Sequence, residues 1–297
     1  MRVLIVGCGY VGLPLGAELV RLGHEVFGLR RSASSENELK AVGIRPLLGD
    51  VTRPETLAQL PRDFDWVVNC VAAGGDADNY RQVYLHGTRN LIEWLAPNAP
   101  KKFVYTSSTS VYGQNDGSQI KESSPTEPLA ETANILLETE KLLLAAVQEK
   151  KFPAVILRVA GIYGPGRGHW FKQYLKDEAR IEGDGSRLLN MIHRDDLTGC
   201  IIAALKNGRP GEIYNAADDE PVSQLHFFQW LAQALDKPLP TAGPENPDEL
   251  RKRGLTNKRV SNRKLKMELG HQFKYPNFRK GYSAELLRLD RANELPQ

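Results

Sequence analysis

Three glycines near the N-terminus have the spacing of a turn that binds phosphate groups. The segment Gly7-Cys8-Gly9-Tyr10-Val11-Gly12 matches the pattern G-x-G-x-x-G, and it joins the apolar run Arg2–Val6 to the amphipathic run Gly12–Leu22. In that context Gly7 allows a tight turn, Gly9 allows the backbone to approach a pyrophosphate, and Gly12 allows close packing of a helix on a strand. The amide groups that open the helix then face the anion. We therefore predict that these six residues bind a dinucleotide; the alternative is a tight turn without a ligand.

The end of the next apolar run indicates which dinucleotide is bound. A carboxylate at this point would bind a ribose 2′-hydroxyl group, but the sequence has Leu29-Arg30-Arg31-Ser32 instead. Because a guanidinium group forms paired hydrogen bonds to phosphate, Arg30 and Arg31 favour NADP as the cofactor, with NAD as the alternative. Both arginines could also be merely solvated. Asp50 and Val51 follow the third apolar run, where the carboxylate could accept a hydrogen bond from an adenine amino group or simply form a turn.

Short apolar runs alternate with longer amphipathic runs through the first half of the chain, which is typical of βαβ units. The predicted strands are Arg2–Val6, Glu25–Leu29, Ile44–Leu48, Asp65–Cys70, Lys102–Thr106 and Ala154–Val159. The predicted helices are Gly12–Leu22, Ser34–Val42, Asn79–Leu95 and Leu129–Gln148. Parallel strands need such crossovers, so the pattern predicts an α/β fold with a doubly wound, Rossmann-type parallel sheet.

The regular alternation stops near residue 160. We predict a dinucleotide-binding domain over residues 1–160 and a smaller substrate lobe over residues 161–297, part of which, within residues 186–215, returns to the sheet. The predicted elements of this half are loops at Gly161–Gly168, Gly183–Gly185 and Asp236–Pro247, helices at Asp195–Lys206 and Ser223–Leu235, and a short strand at Glu212–Asn215.

The composition is that of an ordinary globular protein. Its 297 residues are 41% hydrophobic and 25% charged, which excludes wholesale disorder. The net charge of +3 is too small to indicate a nucleic-acid-binding protein. Glycines interrupt the apolar N-terminus, so no run approaches the roughly 20 residues of a membrane span. The three scattered cysteines are typical of reduced thiols in a cytoplasmic protein, and neither they nor the six histidines have the spacing of a metal site.

One part of the chain is strongly basic. Residues 251–280 contain eleven Lys and Arg residues and a single acid, Glu268. Such a segment is most often a solvated helical rim. The alternatives are that it attracts an anionic substrate or a nucleotide diphosphate, or that it binds nucleic acid.

The chain resembles the NAD-dependent epimerase/dehydratase group of the extended short-chain dehydrogenases/reductases over nearly its whole length. Beyond the glycine turn, the resemblance rests on Gly49-Asp50, Asn69-Cys70-Val71-Ala72-Ala73, Gly87-Thr88, Thr106-Ser107-Ser108-Thr109-Ser110-Val111-Tyr112-Gly113, Leu157–Gly166 and Ile192-His193-Arg194-Asp195-Asp196. The resemblance implies that Val71, Ala72 and Ala73 line the cofactor and that Ser108 is the catalytic hydroxyl group. It also implies a small-molecule substrate, with a nucleotide-linked sugar as one candidate, and a homodimer formed through the long helices.

The sequence departs from this family at its acid/base pair. The family has a Tyr and, four residues later, a Lys on the long helix, followed after four more residues by a Glu. With Glu140 at the family's Glu, the Lys position is Leu136 and the Tyr position is Thr132. Tyr84 likewise replaces the family's Asn in the helix before Gly87-Thr88.

Two hypotheses account for this departure. In the first, the protein is an oxidoreductase, epimerase or dehydratase in which Tyr163 or His193, or else Tyr112, replaces the missing proton donor; each of these residues could instead be packed only for structure. In the second, it is a sensor or regulatory protein that binds NAD(P) without turnover.

Overall fold

A seven-stranded parallel sheet forms the centre of the molecule and confirms the predicted doubly wound α/β fold. The computed structural model describes residues 1–243 and 256–292. In chain order, the strands of the sheet are β1 (Arg2–Val6), β2 (Glu25–Arg30), β3 (Arg45–Leu48), β4 (Trp66–Asn69), β5 (Lys102–Ser108), β6 (Ala154–Val159) and β7 (Ile213–Ala216). Across the sheet they lie in the order β3-β2-β1-β4-β5-β6-β7. The order reverses direction beside β1, between β2 and β4, which is where such sheets bind ligands.

The α-helices of the described residues include those that connect the strands and cover both faces of the sheet, and those of the second half of the chain. They are α1 (Gly12–Arg21), α2 (Glu36–Ala41), α3 (Pro54–Ala58), α4 (Ala77–Tyr80), α5 (Gly87–Leu95), α6 (Glu131–Lys150), α7 (His169–Leu175), α8 (Arg194–Asn207), α9 (Gln224–Leu235), α10 (Arg263–Leu269) and α11 (Phe278–Arg291). On one face α1, α8 and α10 bury Leu15, Ile201 and Leu265 against the sheet. On the other face α5 and α6 bury Leu91 and Leu143. The first half of the sheet is therefore a rigid base for the loops at its carboxyl edge.

The predicted helix Asn79–Leu95 is not continuous. Between α4 and α5, residues Arg81–His86 form a wider π-helical turn. Such turns insert an extra residue into a helix and are frequent at functional sites. The periodicity of apolar residues does not reveal an extra residue of this kind, so the sequence predicted one helix.

The second half of the chain contains short strand pairs that the sequence did not predict. These pairs are Gln119–Ile120 with Arg259–Val260, Gly161–Tyr163 with Met191–His193, Ile181–Glu182 with Ala242–Gly243, and Leu188–Leu189 with Val222–Ser223. The predicted loops Gly161–Gly168 and Asp236–Pro247 are thus wrong over Gly161–Tyr163 and Ala242–Gly243, while residues 244–247 lie outside the described residues. A strand of two or three residues leaves too little alternation to be recognised from sequence.

Part of this second half pairs with the central sheet. Strand β7 pairs in parallel with β6, and α8 packs on the sheet next to α1. The remaining helices α7, α9 and α11 share an aromatic cluster formed by Tyr163, Phe171, Phe227, Phe278 and Tyr282. The division of the chain at residue 160 stays a prediction. None of the helices in the described part of the chain is long and apolar enough to cross a membrane.

Candidate active site

A cleft of about 910 Å³ lies over the carboxyl ends of β1, β2, β4, β5 and β6. Pairing in register brings Val6 level with Leu29 on one side and with Asn69 on the other, so the loops that follow these strands meet at one edge. The C-terminal segment of the chain closes the cleft through Thr256, Lys258 and Tyr282. Residues distant in sequence therefore meet in one cavity at the position where sheets of this type bind ligands.

The glycine turn has the geometry of a phosphate-binding turn. Gly7 has a φ of +82°, and a Cβ atom there would lie 2.7 Å from the backbone of Val71. At Gly12 a Cβ atom would lie 2.8 Å from the carbonyl oxygen of Gly7. At Gly9, by contrast, the atom nearest to such a Cβ is the carbonyl oxygen of Gly7, at 4.0 Å, so the space beside Gly9 is the cleft itself. The backbone at Gly9 can thus approach a ligand closely.

The start of α1 fits an anion. Val11 is the N-cap residue and provides no side-chain hydrogen bond to the helix. No side chain therefore competes with a phosphate for the amide groups that open α1, and the helix dipole favours negative charge there. Cys8, Tyr10 and Val11 line the cleft together with Gly7 and Gly9, whereas Gly12, the sixth residue of the turn, is buried behind it.

Arg30 and Arg31 both line the cleft at the end of β2, but their surroundings differ. The Nε group of Arg30 donates a hydrogen bond to the carbonyl oxygen of Cys8, and its Nη1 group lies 3.0 Å from Glu38 Oε2. Arg30 therefore supports the glycine turn and is already paired with a carboxylate. Arg31 is exposed to solvent. Arg31 can therefore bind a phosphate group without first losing an ion pair, whereas Arg30 would have to give up its contact with Glu38.

Asp50 and Val51 also reach the cleft. The Oδ1 atom of Asp50 accepts hydrogen bonds from the amide and hydroxyl groups of Thr52 at 2.9 and 2.8 Å. Asp50 therefore forms a turn, which was one of the two roles that the sequence left open for it. The same residue also lines the cleft. Val51 is 6% exposed and packs in the core below.

The segment after β4 forms the floor of the cleft next to the glycine turn. Val71 and Ala72 line it directly, and the amide group of Ala73 donates a hydrogen bond to the hydroxyl group of Tyr84 at 3.3 Å. Tyr84 comes from the π-helical turn and lines the cleft as well, and burial raises the pKa of its phenol. The replacement of the family's Asn by Tyr84 thus places a hydroxyl group in the cleft beside the predicted cofactor segment.

Ser108 lies at the carboxyl end of β5, in the lining of the cleft. Its Oγ atom accepts a hydrogen bond from the amide group of Ser110 at 3.1 Å and caps the short helical turn Thr109–Val111. Ser108 is half-buried, and its side chain borders the cleft. Its neighbour Ser107 instead donates to Glu140 Oε1 at 2.6 Å, in the interior of the protein.

A buried ion pair holds β5, β6 and α6 together beneath Ser108. The Nη2 atom of Arg158 lies 2.6 Å from Glu140 Oε2, and the side chains are 5% and 1% exposed, respectively. Arg158 also donates to the hydroxyl group of Tyr112 at 2.8 Å, which in turn donates to Asn215 Oδ1 at 2.8 Å. Tyr112 is therefore fully buried in a structural network, and its hydroxyl group faces this network.

Helix α6 presents the positions of the missing acid/base pair to the cleft. Both Thr132 and Leu136 line it, as the alignment through Glu140 predicted. At these two positions the family's phenol and ammonium groups are replaced by a small hydroxyl group and an apolar side chain.

Tyr163 lines the cleft, but its hydroxyl group points away into the protein. The phenol oxygen lies 3.5 Å from the carbonyl oxygen of Asn277, and the ring stacks on Tyr282 with centroids 4.4 Å apart. Burial, assisted by the carboxylate of Asp218, raises the pKa of Tyr163. A phenol with a raised pKa is a weaker acid at neutral pH.

His193 is 1% exposed and lies behind the cleft lining. Its Nδ1 atom accepts a hydrogen bond from the amide group of Asp195 at 3.2 Å, so the imidazole caps α8. The Nε2 atom lies 3.6 Å from Glu285 Oε1, on the far side of the ring. The structure therefore does not bring His193 together with Ser108.

Arg167 and Lys258 line the cleft, as Arg187 also does, and none of these three basic residues was among the predicted site residues. Arg167 lines the cleft with its guanidinium carbon 5.1 Å from the ring centroid of Tyr10. Lys258 is 4% exposed and lines the cleft at its C-terminal side. The glycine-rich stretch around Arg167 was a weak sequence signal for that residue. Nothing in the sequence distinguishes Lys258 from the other basic residues of segment 251–280. No cluster of metal-ligating side chains is present in residues 1–243 and 256–292.

Comparison with known proteins agrees with this geometry. Residues 3–217 match the model of the NAD dependent epimerase/dehydratase family. Protein YeeZ from Escherichia coli strain K12 is 27% identical over 288 residues, which cover 93% of this chain and 97% of that protein.

Two solved structures show the same fold. One, from Methylobacillus flagellatus, is described as a candidate NAD-dependent epimerase/dehydratase; it is 32% identical with a TM-score of 0.78 and covers 97% of this chain and 98% of its own. The other is UDP-glucuronic acid 4-epimerase from Bacillus cereus in complex with UDP-glucuronic acid and NAD. It has a TM-score of 0.84 and 22% identity, and the match covers 98% of this chain and all of that one.

Proposed function

Because the chain belongs to the NAD-dependent epimerase/dehydratase family, a family of enzymes, we propose that it is an NADP(H)-dependent oxidoreductase, epimerase or dehydratase with an atypical active site. Its substrate is a small molecule with a carbonyl or hydroxyl group. The observation that carries this proposal is that the glycine turn and Ser108 line one cleft, although they lie a hundred residues apart. A cofactor on the turn and a substrate at Ser108 would therefore share a single cavity.

The residues present fit a nicotinamide dinucleotide. Gly7, Gly9 and the start of α1 would hold the pyrophosphate, and Val71 and Ala72 would lie beneath the cofactor. The cofactor, when bound, supplies hydride transfer at its nicotinamide ring. The protein binds and orients both partners, and the hydroxyl group of Ser108 donates a hydrogen bond to the reacting oxygen of the substrate.

We assign packing roles to Tyr163 and His193. The hydroxyl group of Tyr163 faces Asn277, and the imidazole of His193 caps α8, so neither points its acidic group at Ser108. Turnover that survives Ser108→Ala but is lost in Tyr163→Phe would contradict this assignment and place the acid at Tyr163.

The direct test is consumption of NADPH by the purified protein with a panel of keto sugars and aldehydes. We expect Ser108→Ala to lower the turnover rate by about 10²-fold, as for the loss of one hydrogen bond to a developing oxyanion. Ser110→Ala is the matched control, because Ser110 lies in the same turn and only its backbone amide contacts Ser108. Equal losses in both variants would contradict a specific role for Ser108.

The same experiment separates the enzyme from a sensor. The sensor hypothesis is favoured by Thr132 and Leu136, which present no acid/base pair to the cleft. Tight binding of NADPH without turnover of any substrate in the panel would support the sensor and overturn the proposed enzyme.

The choice of NADP over NAD rests on Arg31. We expect Arg31→Ala to weaken NADPH binding by about 10-fold or more, the value of one hydrogen bond to a charged group, and to leave NADH binding nearly unchanged. Isothermal titration with each cofactor measures both values. Equal losses for NADPH and NADH would show that Arg31 does not bind the 2′-phosphate.

A substitution of Glu38 provides a second test of the preference for NADPH over NADH. Its carboxylate pairs with Arg30, so Glu38→Gln should release that guanidinium and strengthen NADPH binding relative to NADH. The Arg30→Ala variant is less informative alone, because Arg30 also supports the glycine turn through the carbonyl oxygen of Cys8. For the double variant of Arg30 and Arg31 we still expect the larger loss for NADPH.

The remaining predictions concern substrate, partners and location. The structural relative that binds UDP-glucuronic acid supports a nucleotide sugar as the substrate. Arg31, Arg167, Arg187 and Lys258 make the cleft lining basic, which suits an anionic compound. A homodimer through the long helices stays a prediction, as does a cytoplasmic location, which the three free thiols support.

A further inference from the structure

We propose that Lys258 is the proton donor and acceptor of this active site: its ε-amino group contacts the reacting oxygen of the substrate and performs the proton transfer that the missing tyrosine performs in the family. The proposal rests on the proposed function, because it requires that the substrate bind in the cleft beside the cofactor.

The backbone of Lys258 is fixed on both sides. Its carbonyl oxygen accepts a hydrogen bond from Asn190 Nδ2 at 2.9 Å, and Asn190 Oδ1 accepts from the amide group of Val260 at 2.8 Å. On the opposite side Asn257 exchanges backbone hydrogen bonds with Gln114 and Gly117. A catalytic group has to be held in place by its support, and this segment is held by contacts to two separate parts of the chain.

The side chain of Lys258 extends from this support toward the turn that follows Ser108. Its Nζ atom donates to the carbonyl oxygen of Tyr112 at 2.7 Å, four residues after Ser108. An ammonium group has three protons to donate, and this is the one acceptor found for it within the described residues. Because Lys258 lines the cleft, the remaining protons are available to a substrate there.

No carboxylate in the described part of the chain forms an ion pair with Lys258. The charged groups on the surrounding elements are already engaged: Arg158 with Glu140, Arg187 with Glu182, Arg259 with the carbonyl oxygen of Gly117, and Glu122 with the amide group of Asn215. Other lysines of the basic segment do pair with carboxylates, as Lys264 does with Glu212 and Lys266 with Asp219. The Lys258 ammonium group therefore has no carboxylate beside it, and its other contact is with the ring of Tyr112, whose centroid lies 6.0 Å from Nζ.

This environment makes the amine a usable acid and base near neutral pH. Burial lowers the pKa of Lys258 from its ordinary value to about 8, because the charged form loses solvation without gaining an anion. A group with a pKa close to the working pH can both give up and regain a proton readily.

The proton transfer balances without any further reactant. A reduced nicotinamide cofactor held by the glycine turn would supply hydride to the carbonyl carbon, and the electron pair of the C–O π bond would pass to the oxygen. That oxygen takes a proton from the Lys258 ammonium, which becomes a neutral amine and is protonated again by solvent. In the opposite direction the neutral amine removes the proton of a substrate hydroxyl group, and the oxidised cofactor would accept the hydride from the same carbon. Ser108 donates a hydrogen bond to the same oxygen in both directions.

Two substitutions of Lys258 and one control test the proposal. Lys258→Met keeps the length and removes the proton, while Lys258→Arg keeps the positive charge but holds its proton too tightly for transfer. Lys102→Met is the matched control, since Lys102 also donates to a backbone carbonyl, that of Gly208, and burial also lowers its pKa. Lys102 lies at the amino end of β5, opposite the end that carries Ser108, and it does not line the cleft.

We expect Lys258→Met and Lys258→Arg both to lower kcat with the NADPH substrate panel by about 10²–10⁴-fold, and Lys102→Met to have no such effect. NADPH binding and the thermal transition of both Lys258 variants should stay near those of the wild type, which separates a chemical role from a structural one. Full activity in Lys258→Arg would show that only the charge is needed and would overturn the proposal.

The outcomes distinguish this proposal from the proposed function. Turnover by the wild type that survives in Lys258→Met overturns the assignment of Lys258 and leaves the enzyme intact. Absence of turnover in the wild type, despite NADPH binding, overturns both.

A second measurement needs neither cofactor nor substrate. In protein labelled with ¹³C at the lysine Cε atoms, the resonance that disappears in Lys258→Arg should titrate with a midpoint near pH 8. A midpoint near 10.4, as for an exposed lysine, would show that the amine is not poised for proton transfer and would overturn the proposal.

Discussion

Replacement of Gly7 by alanine should weaken the binding of NADPH and NADH alike by about 100-fold, the value of two hydrogen bonds to a charged group. The new Cβ atom would lie 2.7 Å from the backbone of Val71, which belongs to the neighbouring strand's loop and cannot move aside as a flexible side chain could. The turn would have to shift, and its amide groups would no longer face the pyrophosphate. Fluorescence or calorimetric titration with both cofactors measures the effect.

Gly23→Ala is the matched control for this experiment. Gly23 has a φ of +83°, almost the same as the +82° of Gly7, but no atom lies within 4 Å of a Cβ added there. The control therefore carries the same backbone strain, about 1 kcal/mol, without the collision. We expect unchanged cofactor binding in Gly23→Ala. Similar binding losses in both variants would contradict the role of close packing at Gly7, and normal binding in Gly7→Ala would contradict the proposed cofactor site.

The substitution Glu140→Gln should lower the free energy of unfolding by about 3–5 kcal/mol. It removes the carboxylate that Arg158 contacts and leaves a guanidinium that is 4% exposed without its counter-charge. Because Arg158 also holds Tyr112, we expect the end of β5 around Ser108 to loosen as well. Urea denaturation followed by circular dichroism gives the difference in unfolding free energy.

An exposed ion pair provides the comparison for this prediction. Glu36 and Lys40 are one turn apart on α2, and their side chains are 42% and 58% exposed. Glu36→Gln should therefore change the unfolding free energy by less than about 1 kcal/mol. If Glu140→Gln also changed the unfolding free energy by less than about 1 kcal/mol, Arg158 would have found another partner. The buried ion pair would then not be what stabilises the end of β5.

The parts of the site that are local in sequence could be predicted without a structure. The strand, glycine turn and helix at residues 2–21 are specified by neighbouring residues, since the turn geometry follows from the spacing of Gly7, Gly9 and Gly12. The assignment of Thr132 and Leu136 to the acid/base positions followed from the family resemblance, with Glu140 placed at the family's Glu and steps of four residues along one face of the helix. The hydrogen-bond partners of Tyr163 and His193 could not be predicted, because sequence shows residue types but not the direction of their hydrogen bonds.

The sequence by itself thus determined the doubly wound fold, the glycine turn and the absence of the family's acid/base pair, because each of these depends on residue types at short, fixed spacings. The tertiary structure alone decided that Arg30 is paired with Glu38, that Tyr163 faces Asn277, and that Lys258 reaches the cleft. Each of these facts depends on contacts between distant parts of the chain. In particular, Lys258 differs from Lys264 and Lys266 of the same basic segment in its burial and in its lack of a carboxylate partner, and both are properties of the packed protein.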